Sequence, residues 1–415
     1  GSVKKSNGRE YGAAALTPRC HKDLYDGVSA GSQVWMSHSD TVQDLHEEAE
    51  VIATNQHDTP VSLRWPGGFF GIQFHPEVTH SHDGLRILKN FLKQAKKLQP
   101  FHIEDFKREM IEGIRELVGD KQVVCGVSGG VDSTVLAVLL KEAGVKVRAI
   151  FVDNGLLRKD ESTVVQNNFH RMGVEIETVD ASDEFLNALA GKEDPEEKRR
   201  IIGNLFIKVF WDSVGNAEML AQGTLYPDVI ESASNAKSKA SVIKTHHNRV
   251  PKILELQEQG KVLEPLAELF KDEVRELGAA LGIASDILGR HPFPGPGLAV
   301  RCPGAIDRER LNIIRECDAI FIGKLKQHGW YDRVWQAYAG LIPVKTVGVK
   351  GDERSYEWAT NLRAVISEDA MTAEWVDLPA QLLRETSQDI LNEVSGINRV
   401  LYDISTKPPA SIEWE

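Results

Sequence analysis

The chain has 415 residues, a formal net charge of −12 and an ordinary globular composition, 41% hydrophobic and 27% charged. That length supports two or three domains with their own cores, and the acidic balance excludes a broad nucleic-acid or anionic-membrane footprint. The four cysteines, Cys20, Cys125, Cys302 and Cys317, show no CxxC spacing and no apolar run reaches membrane-spanning length, so neither a zinc site, a disulfide framework, a signal peptide nor a transmembrane helix is expected. A reducing cytoplasm is the expected location.

Residues 1 to about 97 form a first unit with strand-like runs at Gln33–Met36 and Phe69–Phe74. His75-Pro76-Glu77 follows the second run, and a helical pattern over Leu85, Ile87, Leu88, Phe91 and Leu92 comes next. A His at a strand end with a carboxylate two residues on has the chemistry of a general base and its orienting partner, although a plain loop histidine reads the same way. Lys93–Pro100 reads as a linker, and Phe101–Val118 as an amphipathic helix burying Ile103, Phe106, Met110, Ile114 and Leu117.

The most informative stretch is Val123–Thr134, in which an apolar run ends in Ser128-Gly129-Gly130-Val131-Asp132-Ser133 and helical spacing begins at once with Val135, Leu136, Val138 and Leu139. Strand, turn and helix in that order put unpaired N–H groups at a helix N-terminus, where they attract an anion. The glycines permit close approach of a phosphate, and Ser128, Ser133 and Thr134 add hydroxyls. The lysine of a Walker A loop is missing, and Asp132 stands as a candidate Mg²⁺ ligand instead.

Val147–Val152, Val174–Val179 and Met219–Gly223 read as further strands, with a helix over Lys159–Met172 between the first two. This alternation predicts a doubly wound parallel sheet with its ligand at the strand carboxyl ends, Val152 and Gly223 among the edges. Asp153 either neighbours that ligand or caps a turn. Asp194-Pro195-Glu196-Glu197 opens a helix, and Lys198-Arg199-Arg200 is then either a solvated charge run or an anion contact. Asp228 and Glu231 either assist magnesium or cap a helix. Lys244 beside His246 and His247 suits phosphate or leaving-group contact better than a metal, and Lys271 is either catalytic or superficial. His291–Leu298, rich in Pro and Gly, marks a stiff domain boundary. Beyond it, helices over Glu309–Gln327 and Pro379–Val394 and strands at Val334–Gly340, Val344–Val349, Leu362–Ile366 and Val400–Ile404 make a small α+β domain.

Ser128–Ser133 resembles the pyrophosphate loop of the adenine-nucleotide α-hydrolases, and Trp35–Asp40 followed by Gly71–Glu77 resembles the latter half of a class I glutamine amidotransferase. That family's Gly-x-Cys-x-Gly elbow is not found, so the chain is expected to begin after the nucleophile, with His75 and Glu77 as triad remnants and with synthesis from free ammonia only. Adding Ala221–Ser232, Lys244–Asn248, His291–Leu298, Gly351–Tyr356 and Lys407–Glu415, the whole chain resembles the GMP synthase family.

The resemblance implies an α/β fold in three parts: a partial class I amidotransferase α/β domain (1–97), a doubly wound ATP pyrophosphatase domain (98–293) and a small α+β XMP-binding and dimerisation domain (294–415). It implies ATP held by Ser128, Gly129, Gly130, Val131, Asp132, Ser133, Thr134, Val152 and Gly223, with Lys244 and Lys271 as catalytic lysines. XMP falls to Arg199, Gly295, Pro296, Gln336, Asp352, Lys407, Ile412 and Glu413. Magnesium as cofactor, ammonia or glutamine as nitrogen donor, and a cytoplasmic homodimer without nucleic-acid or membrane partners complete the expectation. The segment Asn248–Gly260 departs from the family's commoner lid. A tRNA-thiolating enzyme and a non-catalytic adenine-nucleotide binding module are the alternatives.

Overall fold

The computed structural model describes residues 2–78, 80–94, 102–215, 217–229, 256–367, 370 and 372–415. The chain divides into two compact units, Gly1–Phe101 and His102–Glu415.

The first unit is built on a six-stranded antiparallel sheet of β1 (Ser2–Pro18), β2 (Ser32–Gln43), β3 (Glu50–Asn55), β4 (Pro60–Trp65), β5 (Phe69–Ile72) and β6 (Phe74–His75), in spatial order β5-β4-β3-β1-β2-β6. Leu16, Tyr25, Val34, Met36, Ile52 and Phe74 form its core. Helix α1 (Gly84–Leu92) is pinned to that core by buried Asn90, whose amide donates to the carbonyls of Leu24 and Asp26 at 3.0 and 2.8 Å. It starts at Gly84 for a steric reason: a Cβ there would lie 1.9 Å from the Pro76 carbonyl oxygen, so only glycine lets the helix close on the His75–Glu77 turn.

In the second unit, α2 (Ile103–Val118) leads into the parallel strand β7 (Gln122–Val127), followed by α3 (Val131–Glu142), β8 (Lys146–Asp153), α4 (Glu161–Arg171), β9 (Ile176–Asp180), α5 (Ser182–Leu189), α6 (Pro195–Val214), β10 (Met219–Ala221) and β11 (Val262–Leu263). The five strands are parallel, in order β11-β10-β7-β8-β9. Alternation does what a doubly wound sheet requires. Val123, Cys125, Val127, Ala149 and Phe151 face one core, while Val124, Ile150 and Val152 face the other. The chain passes from β7 to β8 on one side and places β10 on the other, so the carboxyl ends of β7 and β10 form the topological switch point.

Helices α7 (Lys271–Ala280) and α8 (Ser285–Leu288) precede the Pro- and Gly-rich stretch, which ends in a 3₁₀ turn over Gly297–Arg301. Gly297 has a φ of +63°, and a Cβ on it would meet the Leu156 carbonyl oxygen at 2.4 Å, so this residue is what lets the stretch lie flat on the segment after β8. A helix α9 (Arg308–Gln327), the hairpin β12 (Gln336–Lys350) and β13 (Glu353–Ile366), β14 (Glu374–Trp375), α10 (Ala380–Glu393) and β15 (Ile397–Tyr402) complete the fold. One core runs from Val124, Ile150 and Val152 through Leu298 and Cys302 to Ile314, Phe321, Ala337 and Leu362. The stretch at 291–298 therefore crosses a shared core.

In the C-terminal hairpin the strands differ from the expectation. The two strands expected at 334–340 and 344–349 are one, interrupted by a bulge between Ile342 and Lys345 where Pro343 has no N–H to give the ladder. Strand β13 begins at Glu353, nine residues before the expected third strand, because its outer half belongs to a two-stranded ribbon whose exposed charges hide the apolar alternation.

Candidate functional site

The phosphate loop leaves β7 at Val127 and enters α3 at Val131, as the sequence pattern requires. Gly129 turns the chain with a φ of +76°, and a Cβ on it would lie 2.3 Å from Val165 Cγ2 on α4. The hydroxyls line the turn: Ser128 N–H donates to Ser133 Oγ at 3.2 Å, Gly130 N–H to Ser128 Oγ at 3.3 Å, and Thr134 Oγ1 to the Gly130 carbonyl at 2.7 Å. These bonds organise the loop while its N–H groups remain at a helix N-terminus.

The loop forms one wall of a cavity of about 250 Å³. Phe151, Val152, Leu157, Phe206 and Phe293 give it an apolar side, suited to a flat heteroaromatic ring, whereas Lys271 and Arg275 bring cations to the loop side, where Arg290 is paired with Glu161. Lys271 and Arg275 lie one turn apart on the first half of α7, so both present the same face to the loop. Lys271 Nζ is 3.9 Å from Asp132 Oδ2. Asp132 Oδ1 is buried without a hydrogen-bond partner among the described residues. Burial raises the Asp132 pKa above the usual carboxylate value; Lys271 opposes that shift and nearby Asp228 adds to it. Asp228 also accepts the Leu225 N–H at 3.0 Å.

The far side of the stretch after His291 meets the C-terminal tail. Arg301 is fully buried, donates to both Glu413 carboxylate oxygens at 3.0 and 2.9 Å and lies 4.3 Å over the Tyr338 ring and 5.1 Å from Phe293. Gln336 donates to the same carboxylate at 2.7 Å. Buried Arg363 holds the tail by the carbonyls of Ser405, Ser411 and Ile412, at 3.0, 3.0 and 2.9 Å. Lys198 is fully buried, binding the carbonyls of Ala299, Cys302 and Gly304 at 3.1–3.2 Å together with the Glu415 carboxylate. The solvated-run reading of Lys198–Arg200 is thus corrected at Lys198. The anion held there is the chain's own, because a buried ammonium needs a counter-charge and carbonyls that the tail and the 299–304 turn supply.

In the first unit, His75 Nδ1 and Glu77 Oε1 are 2.8 Å apart, with the imidazole 44% exposed. The carboxylate engages one ring nitrogen and so orients the imidazole.

Residues 323–414 match the family described as GMP synthase C terminal domain, 2–95 match glutamine amidotransferase class-I, and 121–192 match the tRNA methyl transferase HUP domain. The whole chain aligns with proteins named GMP synthase (glutamine-hydrolyzing): 50% identical over 424 residues in Flavobacterium psychrophilum, covering 82% of that relative. Relatives of the same name in Chlorobaculum tepidum and Aquifex aeolicus are 49% and 50% identical over 435 and 423 residues, again with all of this chain and 82% of theirs. The chain belongs to the GMP synthase family.

Among the residues expected to serve ATP in this family, Ser128–Asp132 and Val152 line the cavity, Ser133 and Thr134 bond within the loop, and Gly223 lies beside the Asp132 backbone. Lys271 faces the cavity, and Lys244 lies outside the described residues, as does Glu231. Gly295 lines the cavity from the opposite wall and Pro296 caps the 3₁₀ turn. Gln336, Ile412 and Glu413 come together around Arg301 and Tyr338, whose hydroxyl donates to the Ile412 carbonyl at 2.8 Å. Lys407 donates to the carbonyl of Ala370 at 2.8 Å, and Ala370 packs in the same small cluster as Ile412. Arg199 donates to the Glu415 backbone carbonyl.

Asp352 stands apart from them, at the tip of the β12–β13 hairpin, where Lys350 pairs with Glu353 while Gln336 pairs with Val365 at the base. Measured along β12, at about 3.3 Å per residue, the tip lies up to roughly 45–50 Å from Gln336. Asp153 accepts the Gly155 N–H at 2.9 Å, the turn-capping option. Sequence reading missed Arg275, Arg290 and Arg301. Only Arg275 left a signal, its i, i+4 spacing from Lys271; the other two are isolated arginines flanking the Pro- and Gly-rich stretch. The thiols of Cys125, Cys302 and Cys317 are buried and pushed up to about 12, 11 and 12, chiefly by burial, which makes them poor nucleophiles. No group of three or more His, Cys, Asp or Glu among the described residues could hold a metal, and no described helix is long and apolar enough to cross a membrane.

Proposed function

We propose that this chain aminates XMP to GMP with ATP, activating the C2 oxygen of XMP as an adenylate in the second unit. Oxygen on that ring is a poor leaving group. Attack of the XMP C2 oxygen on the α-phosphorus of ATP expels pyrophosphate, and ammonia at C2 then displaces AMP. The observation that carries this reading is the wall at 291–297. One side of it closes the cavity over the phosphate loop, and Phe293 on the same wall touches Arg301, which holds Glu413 beside Gln336. Two ligand sites on one wall suit a reaction between two nucleotides.

In this reading the loop N–H groups, with Lys271, take the departing pyrophosphate, and Lys244 contributes from its own segment. The apolar side of the cavity at Val152 takes adenine, and Gly223 leaves room beside the loop. Gly295, Pro296, Gln336, Lys407, Ile412 and Glu413 receive XMP, with Arg199 bracing the tail. Catalysis then consists of positioning and charge neutralisation. Mg²⁺ fits at Asp132, whose buried orphan oxygen lacks a partner among the described residues, with the remaining ligands coming from phosphate oxygens and water. When bound, it would neutralise charge on the leaving pyrophosphate.

The chain acts as a homodimer through residues 294–415, with 98–293 as its ATP-binding part and 1–97 as its amidotransferase part. Asp352 lies too far from Gln336 to serve the same chain's site, so it serves the partner's. His75 and Glu77 are the base and orienter of a glutaminase triad. Free ammonia is the nitrogen donor proposed for these 415 residues. The reaction is assigned to the cytoplasm.

The test is pyrophosphate release from Mg-ATP, with and without XMP, supplied with ammonium or glutamine. XMP-dependent release with ammonium and not with glutamine supports the reading. Release independent of XMP, or none at all, overturns it in favour of another phosphate-loop enzyme or a binding module.

A further inference from the structure

Arg290 lies between the end of α8 and the Pro- and Gly-rich wall, and its guanidinium bridges two elements. Nη1 donates to the Gly129 carbonyl at 3.2 Å, and Nη2 donates to the Glu161 carboxylate in the first turn of α4. Both side chains are largely withdrawn from water, at 22% and 11% exposure. The backbone from which Arg290 projects is fixed by its neighbour. The Ala337 N–H donates to His291 Nδ1 at 3.2 Å, His291 Nε2–H donates to the Tyr331 carbonyl at 2.8 Å, and the His291 and Tyr331 rings stack at 3.9 Å. On another side Gly129 abuts Val165. The sharpest turn of the phosphate loop is therefore gripped by α4 packing and by one arginine.

The grip has a directional consequence. A trans peptide holds its C=O and the following N–H antiparallel, so a Gly129 carbonyl turned onto Arg290 points the Gly130 N–H into the loop. There it donates to Ser128 Oγ at 3.3 Å, a long bond that a phosphate oxygen can replace. We propose that Arg290, anchored by Glu161, is a positioning residue of the phosphate loop that aims the Gly130 N–H at the pyrophosphate of ATP. It is not itself a phosphate ligand, because its charge is already paired with Glu161 and two of its nitrogens are engaged. This rests on the reading that the loop receives pyrophosphate.

The test compares the full chain with Arg290→Met, Arg290→Lys and Ser133→Ala, measuring KM for ATP and for XMP and the inhibition constant of added pyrophosphate. Losing one aimed bond to a charged group weakens ATP and pyrophosphate about tenfold or more in Arg290→Met. KM for XMP should stay within about twofold, a split that general loss of structure does not produce. Arg290→Lys recovers only part, since an ammonium lacks the planar fork that spans both acceptors. Wild-type pyrophosphate inhibition in either Arg290 variant overturns the proposal, and should Arg290→Met fail to fold, Arg290→Lys alone decides. If Ser133→Ala weakens pyrophosphate and the Arg290 variants do not, only the role of Arg290 falls. If Ser133→Ala also leaves ATP and pyrophosphate unaffected, the loop reading itself falls.

Discussion

Replacing Gly129 by alanine loads the phosphate loop in two separable ways. At a φ of +76° the backbone is left-handed, which costs a residue with a Cβ about 1–2 kcal/mol. The new Cβ would also lie 2.3 Å from Val165 Cγ2, and Val165 is fully buried on α4. A valine in a helix has one strongly preferred rotamer, so it cannot swing clear, and the overpacking adds about 1–3 kcal/mol. Gly129→Ala should therefore lose about 2–5 kcal/mol. Val165→Ala removes the obstacle at its own cost of roughly 2 kcal/mol for two buried methyl groups and their cavity. In the double variant only the conformational part should add, a favourable coupling of about 1–3 kcal/mol. Urea unfolding of the four proteins, followed by tryptophan fluorescence, measures the cycle. Strict additivity would refute the claim that Val165 is what excludes a side chain at residue 129.

The His291 imidazole is held down to about 4 from an ordinary 6.5, chiefly by burial. Because the unfolded chain binds a proton that the folded one refuses between those values, its contribution is complete above pH 6.5 and is lost as pH falls towards 4. The loss totals about 3 kcal/mol, so the stability gap between wild type and His291→Gln should narrow from pH 7.5 to pH 4.5; a constant gap contradicts it. Asp132→Asn should cost about 100-fold in kcat/KM for ATP; an unchanged kcat/KM would remove Asp132 from the ATP site. If Asp352 serves the partner's site, an inactive Asp352→Ala chain mixed with an inactive Glu413→Ala chain should regain about a quarter of wild-type activity, since half the dimers carry one intact site. No recovery after subunit exchange would return Asp352 to its own chain or to no site.

The parts legible in the sequence are those in which neighbours in the chain are neighbours in space. The loop 128–134 is one strand end and one helix start, so spacing was enough to find it, whereas the two-residue spacing of His75 and Glu77 fits a plain loop histidine equally well and the pair stood out only through the amidotransferase resemblance. The helix cap at Asp194 was equally local: its side chain accepts the Glu197 N–H at 2.7 Å. The short helix α5 went unread although Ser182-Asp183-Glu184 opens it, because the apolar positions Phe185, Leu186 and Leu189 span only two turns. The hairpin β12–β13 was read in fragments, since the proline at 343 interrupts the pattern and the outer ribbon has no buried face to impose alternation.

By itself the sequence determined the chemistry on offer: an anion-binding loop without a Walker lysine, a carboxylate in that loop, a His–Glu pair and a stiff Pro- and Gly-rich stretch. Those features follow from backbone sterics and short-range hydrogen bonding, which need only the residues next in line. Tertiary structure alone decided which distant charges meet. Lys198 reads as a surface cation and is a buried anchor for Glu415, 217 residues on. Arg290 reads as an unremarked arginine and grips Gly129 from 161 residues away. Whether a charge is solvated or paired in the interior depends on what the rest of the fold lays over it, and no local pattern carries that information.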